Sequence, residues 1–176
     1  MGLLKKIGLG VGGVVVLLVV VGFVLPRNVE VSRSVTIAAS PEEVFPYVNS
    51  LKKFNEWSPW ADYDPDTKYV FSGPESGKGM RVEWTSEEDN VGAGSQEIIE
   101  SVENELVRTS LDFGMQGTAV AQFTLKQTDD GTEITWGFVS DMGTNPMGRY
   151  MGLLMDKWVG GDYERGLARL KDLVEQ

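Results

Sequence analysis

The hydrophobic period of this chain changes once, near Pro146, from every second residue to every third or fourth, so a series of strands must be closed by a terminal helix. Val29, Val31, Val35 and Ile37 alternate with Glu30, Ser32, Ser34 and Thr36. Only Arg33 interrupts the apolar side, which suits a place near the sheet's end or solvent. Met80, Val82 and Trp84 alternate with Arg81, Glu83 and Thr85. Gly92-Ala93-Gly94 marks a turn before a strand around 96–102, Glu103-Asn104 a tight reversal into 106–113, and 114–117 another reversal. Ala119, Ala121, Phe123 and Leu125 share one side of the next strand. Asp129-Asp130-Gly131 is a strong hairpin signal before Thr132, Ile134, Trp136 and Phe138. Six or seven antiparallel strands follow from this pattern.

Two short helices interrupt the series after the first strand. In Ser40-Pro41-Glu42-Glu43, Ser40 can cap, Pro41 fits the first helical position and Glu43 completes a capping box. Val44, Phe45 and Val48 supply the buried side, and Pro46 keeps the helix short or bent. The second includes Leu51 and Phe54, before Trp57-Ser58-Pro59-Trp60 turns the chain. At the C-terminal end Met147, Met151, Leu154 and Trp158 fit a helical stripe, continued by Leu167, Leu170 and Val174. Gly160-Gly161 is either a kink or a point of close backbone approach to the sheet. The economical architecture is α+β: a curved antiparallel sheet around a long C-terminal helix whose apolar stripe faces it. Strong curvature leaves volume for a ligand cavity between the two.

Ahead of these elements, Ile7 to Leu25 form a run of 19 residues without a charged or strongly polar side chain. As a helix it reaches roughly 28 Å, close to the hydrocarbon thickness of a bilayer. Phe23-Val24-Leu25-Pro26-Arg27 offers no small-x-small cleavage site, so an uncleaved transmembrane helix is expected rather than a signal peptide. Lys5 and Lys6 favour a cytoplasmic N-terminus and place the domain beyond the membrane, a cytoplasmic domain being the other orientation. Gly8 and Gly12 have the spacing of a helix-packing pair. The expected organisation is a basic tail at 1–6, an anchor at 7–25, a short join at 26–28 and one domain over 29–176, with the lipid bilayer as partner through 7–25.

Charge and composition narrow the chemistry. Lys5, Lys6 and Arg27 are three of the 16 basic residues, whereas all 26 acids follow residue 27, leaving the domain a formal charge of −13. Such a surface repels nucleic-acid phosphates, so no nucleic-acid partner is expected. The chain has no cysteine and no histidine, which excludes disulfides, thiol catalysis, thiolate or imidazole metal sites and Ser-His-Asp chemistry. No calcium-loop spacing appears among the acids, and neither a metal nor a cofactor is expected.

Ser40-Pro41-Glu42-Glu43-Val44-Phe45, Trp57-Ser58-Pro59-Trp60, Phe71-Ser72-Gly73-Pro74 through Gly77-Lys78-Gly79, Trp84 and Gly92-Ala93-Gly94, in this element order, resemble the helix-grip superfamily. That superfamily joins the START, polyketide cyclase and plant pollen-allergen (SRPBCC) proteins, and the likeness is to its bacterial polyketide cyclase/dehydrase and lipid-transport branch. It extends from about Val29 to Val174. The resemblance implies a helix-grip fold with an apolar cavity between sheet and long helix, and hence binding of a hydrophobic small molecule or lipid. Together with the anchor it implies a single-pass protein of the bacterial inner membrane. Candidate lining groups are Trp60, Trp84, Phe113, Met115, Trp136, Phe138, Met151, Leu154 and Trp158, all of which also suit a packed core. For cyclase or dehydratase chemistry, the alternative to binding, an acid and a donor must meet: Glu83 or Asp112 with Arg108, Tyr150 or Tyr63. Spacing pairs none of them, no catalytic residue is assigned, and the chain is read as more a binder than an enzyme. A non-catalytic interaction module at the membrane is the third reading.

Overall fold

The structure, a computed structural model, describes residues 2–88 and 91–176, with the side chains of residues 3–9 and of Gln116 outside the description. Strands β1 (Asn28–Ile37), β2 (Lys68–Ser72), β3 (Arg81–Thr85), β4 (Ala93–Val102), β5 (Leu106–Asp112), β6 (Thr118–Thr128) and β7 (Gly131–Asp141) form one sheet in the order β1-β7-β6-β5-β4-β3-β2. Every neighbouring pair is antiparallel. Because β1 and β2 are opposite edges, the chain between them has to cross one face of the sheet. It does so as α2 (Pro41–Val48), α3 (Leu51–Trp57) and a 3-10 turn (Pro59–Asp62). This crossing covers one end of the concave face, and α4 (Pro146–Val174) returns along β1.

Local chemistry explains the element ends. The Ser40 N–H donates to Glu43 Oε2 at 2.8 Å, closing the expected box at the start of α2. Asn104 takes φ 60°, which permits the tight β4–β5 reversal. The strand β4 begins at Ala93, earlier than the glycine-rich turn suggested, and Gly94 pairs with Trp84 of β3. A side chain at Gly94 would run into the Trp84 indole, so glycine here is part of the ladder and lets the indole lie across it. Strand β2 has no clear alternation in the sequence and owes its place to pairing with β3.

Inward-facing residues follow the pairing register. Ile37, Ile134, Leu125 and Val107 share one buried core with Val44, Phe45 and Val48 of α2, and Trp136 and Phe123 lie beside Phe54 and Trp57 of α3. Helix α4 departs from the apolar-stripe expectation. Its buried residues are Gly152, Gly160, Tyr163, Gly166, Leu167 and Leu170, while Met147, Met151, Leu154 and Trp158 stay substantially exposed. Glycine allows the helix to sit directly on its neighbours: a Cβ at Gly152 would meet Val29 Cγ2 at 2.5 Å, and one at Gly160 would collide with the Arg33 guanidinium. Of the Gly160-Gly161 pair, Gly160 serves close approach, and the helix runs through both without a break. A face built from glycines carries little hydrophobic signal, so periodicity points to the wrong stripe.

The N-terminal apolar segment forms α1 (Leu3–Val24), but the reading of a transmembrane anchor over 7–25 is overturned: among the described residues no helix is long and apolar enough to cross a membrane. The end of α1 packs on the start of α4. Gly22 lies against Pro146 and Tyr150, the Tyr150 hydroxyl donates to Leu18 O at 2.7 Å, and Arg149 Nη1 donates to Phe23 O at 2.7 Å. The helix-grip part of the fold stands, with no membrane-spanning helix ahead of it among the described residues. The bilayer partner, the single-pass topology, the inner-membrane placement and the two membrane-based functional readings fall with it.

Two glycines of α4 separate close approach from helix propensity. Gly166→Ala, whose Cβ would meet Trp136 at 2.9 Å and Pro59 at 3.1 Å, should destabilise the chain by about 1–3 kcal/mol although alanine is the better helix former. Gly161→Ala, with nothing within 4 Å of its Cβ position, should be neutral or stabilise by up to about 1 kcal/mol. Denaturant titration of both variants checks the pair.

Candidate functional site

The space between sheet and α4 has two ends of different character. At the α3 end an aromatic cluster fills it. Tyr163 of α4 stacks on Trp136 with centroids 3.9 Å apart and planes 9° from parallel, and Phe54, Trp57, Trp60 and Phe123 pack around Trp136 at 5.0–5.5 Å. Gly166 provides the clearance for this contact. Burial raises the Tyr163 hydroxyl far above its ordinary pKa, so it keeps its proton. The Trp136 indole N–H is buried without an acceptor among the described residues, a desolvation cost of about 1–3 kcal/mol carried for the sake of the stack.

Toward the other end the concave face changes from bulky to small and polar. The register places Ala121 between Phe138 and Thr109, and Ala119 between Ser140 and Leu111. Next to them Gln96, buried on β4, donates from Nε2 to Thr109 Oγ1 at 3.0 Å, and Thr109 Oγ1 donates in turn to Ala121 O at 3.5 Å. Beyond this pair lie Trp84 and Phe113, edge to face at 5.9 Å across Gly94, with the Trp84 N–H donating to Val91 O. The N-terminal half of α4 flanks this end with Met155 and Val159 packed on the core and Met151, Leu154 and Trp158 exposed by 45, 43 and 49%.

A separate groove of about 320 Å³ lies on the outer side, between β1 and the C-terminal half of α4, lined by Arg33, Val35, Glu164, Leu167, Lys171 and Asp172 among others. Arg33 straddles Gly160 there, with Nη1 3.0 Å from Asp156 and Nε 2.7 Å from Glu164. This arrangement accounts for an arginine on the apolar side of β1. The guanidinium's hydrogen bonds to Asp156 and Glu164 raise its pKa, and the same contact lowers that of Asp156.

The sequence-derived residues separate into three groups. Trp136 and Phe138 are buried, with Trp60 beside them in the aromatic cluster. Trp84 and Phe113 pack edge to face on β3 and at the end of β5, Met151, Leu154 and Trp158 stay half-exposed on α4, and Met115 projects fully into solvent on the β5–β6 turn. The polar candidates stay outside the interior. Tyr63 donates to Asp162 at 2.9 Å and accepts from Arg165; Glu83 pairs with Arg81, Arg108 with Glu100, Asp112 accepts from Gly114 N, and Tyr150 is bonded to α1. Among the described residues no group of acids is placed to hold a metal ion. Gln96, Thr109 and Tyr163 escaped sequence reasoning. Gln96 shares strand parity with Ile98, a long polar side chain on an otherwise apolar face, and that was the available signal.

A family model described as polyketide cyclase / dehydrase and lipid transport matches residues 28–175. The chain belongs to that family. No curated protein matches it. Among solved structures, protein MLL2253 from Mesorhizobium loti is 18% identical with a TM-score of 0.58, over 83% of this chain and 96% of its own. Protein SA2116 from Staphylococcus aureus, of unknown function, is 15% identical at TM-score 0.61, over 84% and 94%. The di-domain ARO/CYC StfQ of the steffimycin biosynthetic pathway is 10% identical at TM-score 0.61, over 85% of this chain and 51% of that one. At such identities the family's shared property is the fold.

Several exposed carboxylates tie this family member's elements together and set its acid response. Hydrogen bonds from Arg27 and from Gly143 N hold Asp141 down at about 2; Arg169 lowers Asp62, Arg33 lowers Asp156, and the Ala38 N–H with Lys171 lowers Glu175. Depressed folded values mean that their contribution is fully present above the unfolded carboxylate range, about pH 4, and is lost as pH falls through the folded values toward 2. Urea midpoints should therefore be level from pH 7 to about 5 and fall between about 4 and 2, and Arg27→Met should shallow the lowest part of that fall.

Proposed function

We propose that this chain binds a hydrophobic small molecule or lipid between the concave face of its sheet and the N-terminal half of α4, a reading that needs no membrane anchor. One observation carries it. The C-terminal half of α4 is clamped on Trp136 at stacking distance, whereas in its N-terminal half Met151, Leu154 and Trp158 stay half-exposed, and the inward side of β6 carries the small residues Ala119 and Ala121. Apolar side chains kept partly in water next to small ones are what a pocket with an open mouth requires. Membership of a family described by cyclisation, dehydration and lipid transport supports the same reading.

Cyclisation or dehydration of such a molecule is the second reading, favoured by the family description and by likeness to an ARO/CYC protein. Proton transfer needs a group that titrates near the working pH. Among the described residues no carboxylate, lysine or arginine is buried in the interior, and Tyr163 holds its proton. Binding therefore takes precedence over turnover.

Mass measurement of organic extracts from the purified full chain should find a hydrophobic molecule, and 2-methylnaphthalene should bind as a surrogate when the chain is emptied. Repeated absence of both a co-purified and an exchangeable hydrophobic ligand would refute the proposal. Trp158→Ala should weaken 2-methylnaphthalene several-fold with little loss of stability, because its side chain is half in water. Trp136→Ala should instead cost about 3–5 kcal/mol of folding free energy, seen as a large fall in the denaturation midpoint.

A further inference from the structure

Gln96 is the polar side chain that the interior keeps without fully using. It is only 7% exposed, on the same face as Val82, Ile98 and Leu111, and nine-tenths of its surface is removed from water. One N–H goes to Thr109 Oγ1 at 3.0 Å, and the Thr109 hydroxyl passes its own proton to Ala121 O, which fixes the amide's orientation: nitrogen toward Thr109, oxygen away from it. Among the described residues nothing donates to Gln96 Oε1, and the second N–H has no acceptor. The oxygen is also absent from the fully enclosed polar atoms lacking a partner, a condition that only the Trp136 N–H meets among the described residues. It therefore retains a small accessible surface, in line through Leu111 with the small residue Ala119.

An amide with one acceptor and one donor free, held rigid by a second hydrogen bond, is complementary to a group that both donates and accepts. A hydroxyl does both. A ketone only accepts, and an ionised carboxylate would set its negative oxygens against Oε1. Among the described residues no interior cation offsets that repulsion: Arg33 on this face is committed to Asp156 and Glu164, and the domain's formal charge is strongly negative. The geometry points to Gln96, positioned by Thr109, as the polar anchor of the binding site, selecting uncharged hydrophobic molecules that carry a hydroxyl over their hydrocarbon and carboxylate counterparts. This rests on the proposed binding function and names the ligand class that such a site takes.

The test is titration of the full chain at pH 7 with 2-naphthol, 2-methylnaphthalene and 2-naphthoate, which share one ring system and differ at one substituent. The hydroxyl compound should bind about tenfold tighter than the methyl compound, the difference expected for one hydrogen bond of about 1.4 kcal/mol, and the carboxylate weakest of the three. Gln96→Met should abolish the preference for 2-naphthol over 2-methylnaphthalene. A readout free of any folding defect in that variant is the Gln96 side-chain amide resonance of the unaltered chain, which should shift with 2-naphthol and much less with 2-methylnaphthalene. Equal affinity for 2-naphthol and 2-methylnaphthalene, tighter binding of 2-naphthoate, or a Gln96 amide unmoved by bound 2-naphthol would overturn the anchor while leaving hydrophobic binding intact. Failure of all three compounds to bind would overturn the binding function and the anchor together.

Discussion

The stack of Tyr163 on Trp136 is the contact on which the rest of the molecule depends. It joins α4 to the strand at the sheet's second position, and Gly166 lets the helix approach the same indole without a side chain in the way. Burial of two large aromatic surfaces contributes more here than any hydrogen bond could, which is why the Trp136 N–H is left without an acceptor. Phe54 and Trp57 reach the same indole from α3, so the chain segment that must cross from one sheet edge to the other is held at the same point. Fixing one end of α4 so tightly leaves its other end free to stand beside a less filled volume.

That asymmetry shapes the chemistry available to the family member. The filled end has no titratable group in a useful protonation state, while the open end supplies apolar contact area and a short chain of neutral hydrogen bonds through Gln96, Thr109 and Ala121. Among the described residues no charged side chain is fully buried. Arg33, the one arginine on the inward side of β1, is drawn across Gly160 to two carboxylates of α4 and becomes a brace between strand and helix. A strongly acidic surface around a neutral interior favours uncharged guests over anionic ones.

The strands were legible because they are half-buried: alternation at Val29–Ile37, Ala119–Leu125 and Thr132–Phe138 reports a sheet with one face inward, and the structure buries those same sides. The two short helices were legible from Ser40, Pro41 and Glu43 and from the aromatic-rich turn after them. Three things were not. Gly94 reads as a turn residue until Trp84 is seen lying over it. The buried face of α4 is glycine in its N-terminal half, at Gly152 and Gly160, which periodicity ignores, so the exposed Met147–Trp158 stripe stood out there, whereas the expected Leu167 and Leu170 are buried. The apolar segment at 7–25 read as a membrane span, whereas among the described residues no helix is long and apolar enough to cross one, and its end is bound to Tyr150 and Arg149 of α4.

What the sequence determined by itself was the succession of elements, the acidity of the surface and the exclusion of histidine and cysteine chemistry, because these follow from residue identity and local period alone. What only the tertiary structure decided was which residues face the shared interior. Tyr163 and Gln96 gained their roles from partners on distant strands, Trp136 and Thr109, brought within contact by the return of α4 and the curvature of the sheet. The polar candidates Glu83, Arg108 and Asp112 lost theirs for the same reason. Strand parity turned them outward, where each found a nearby partner instead of a ligand.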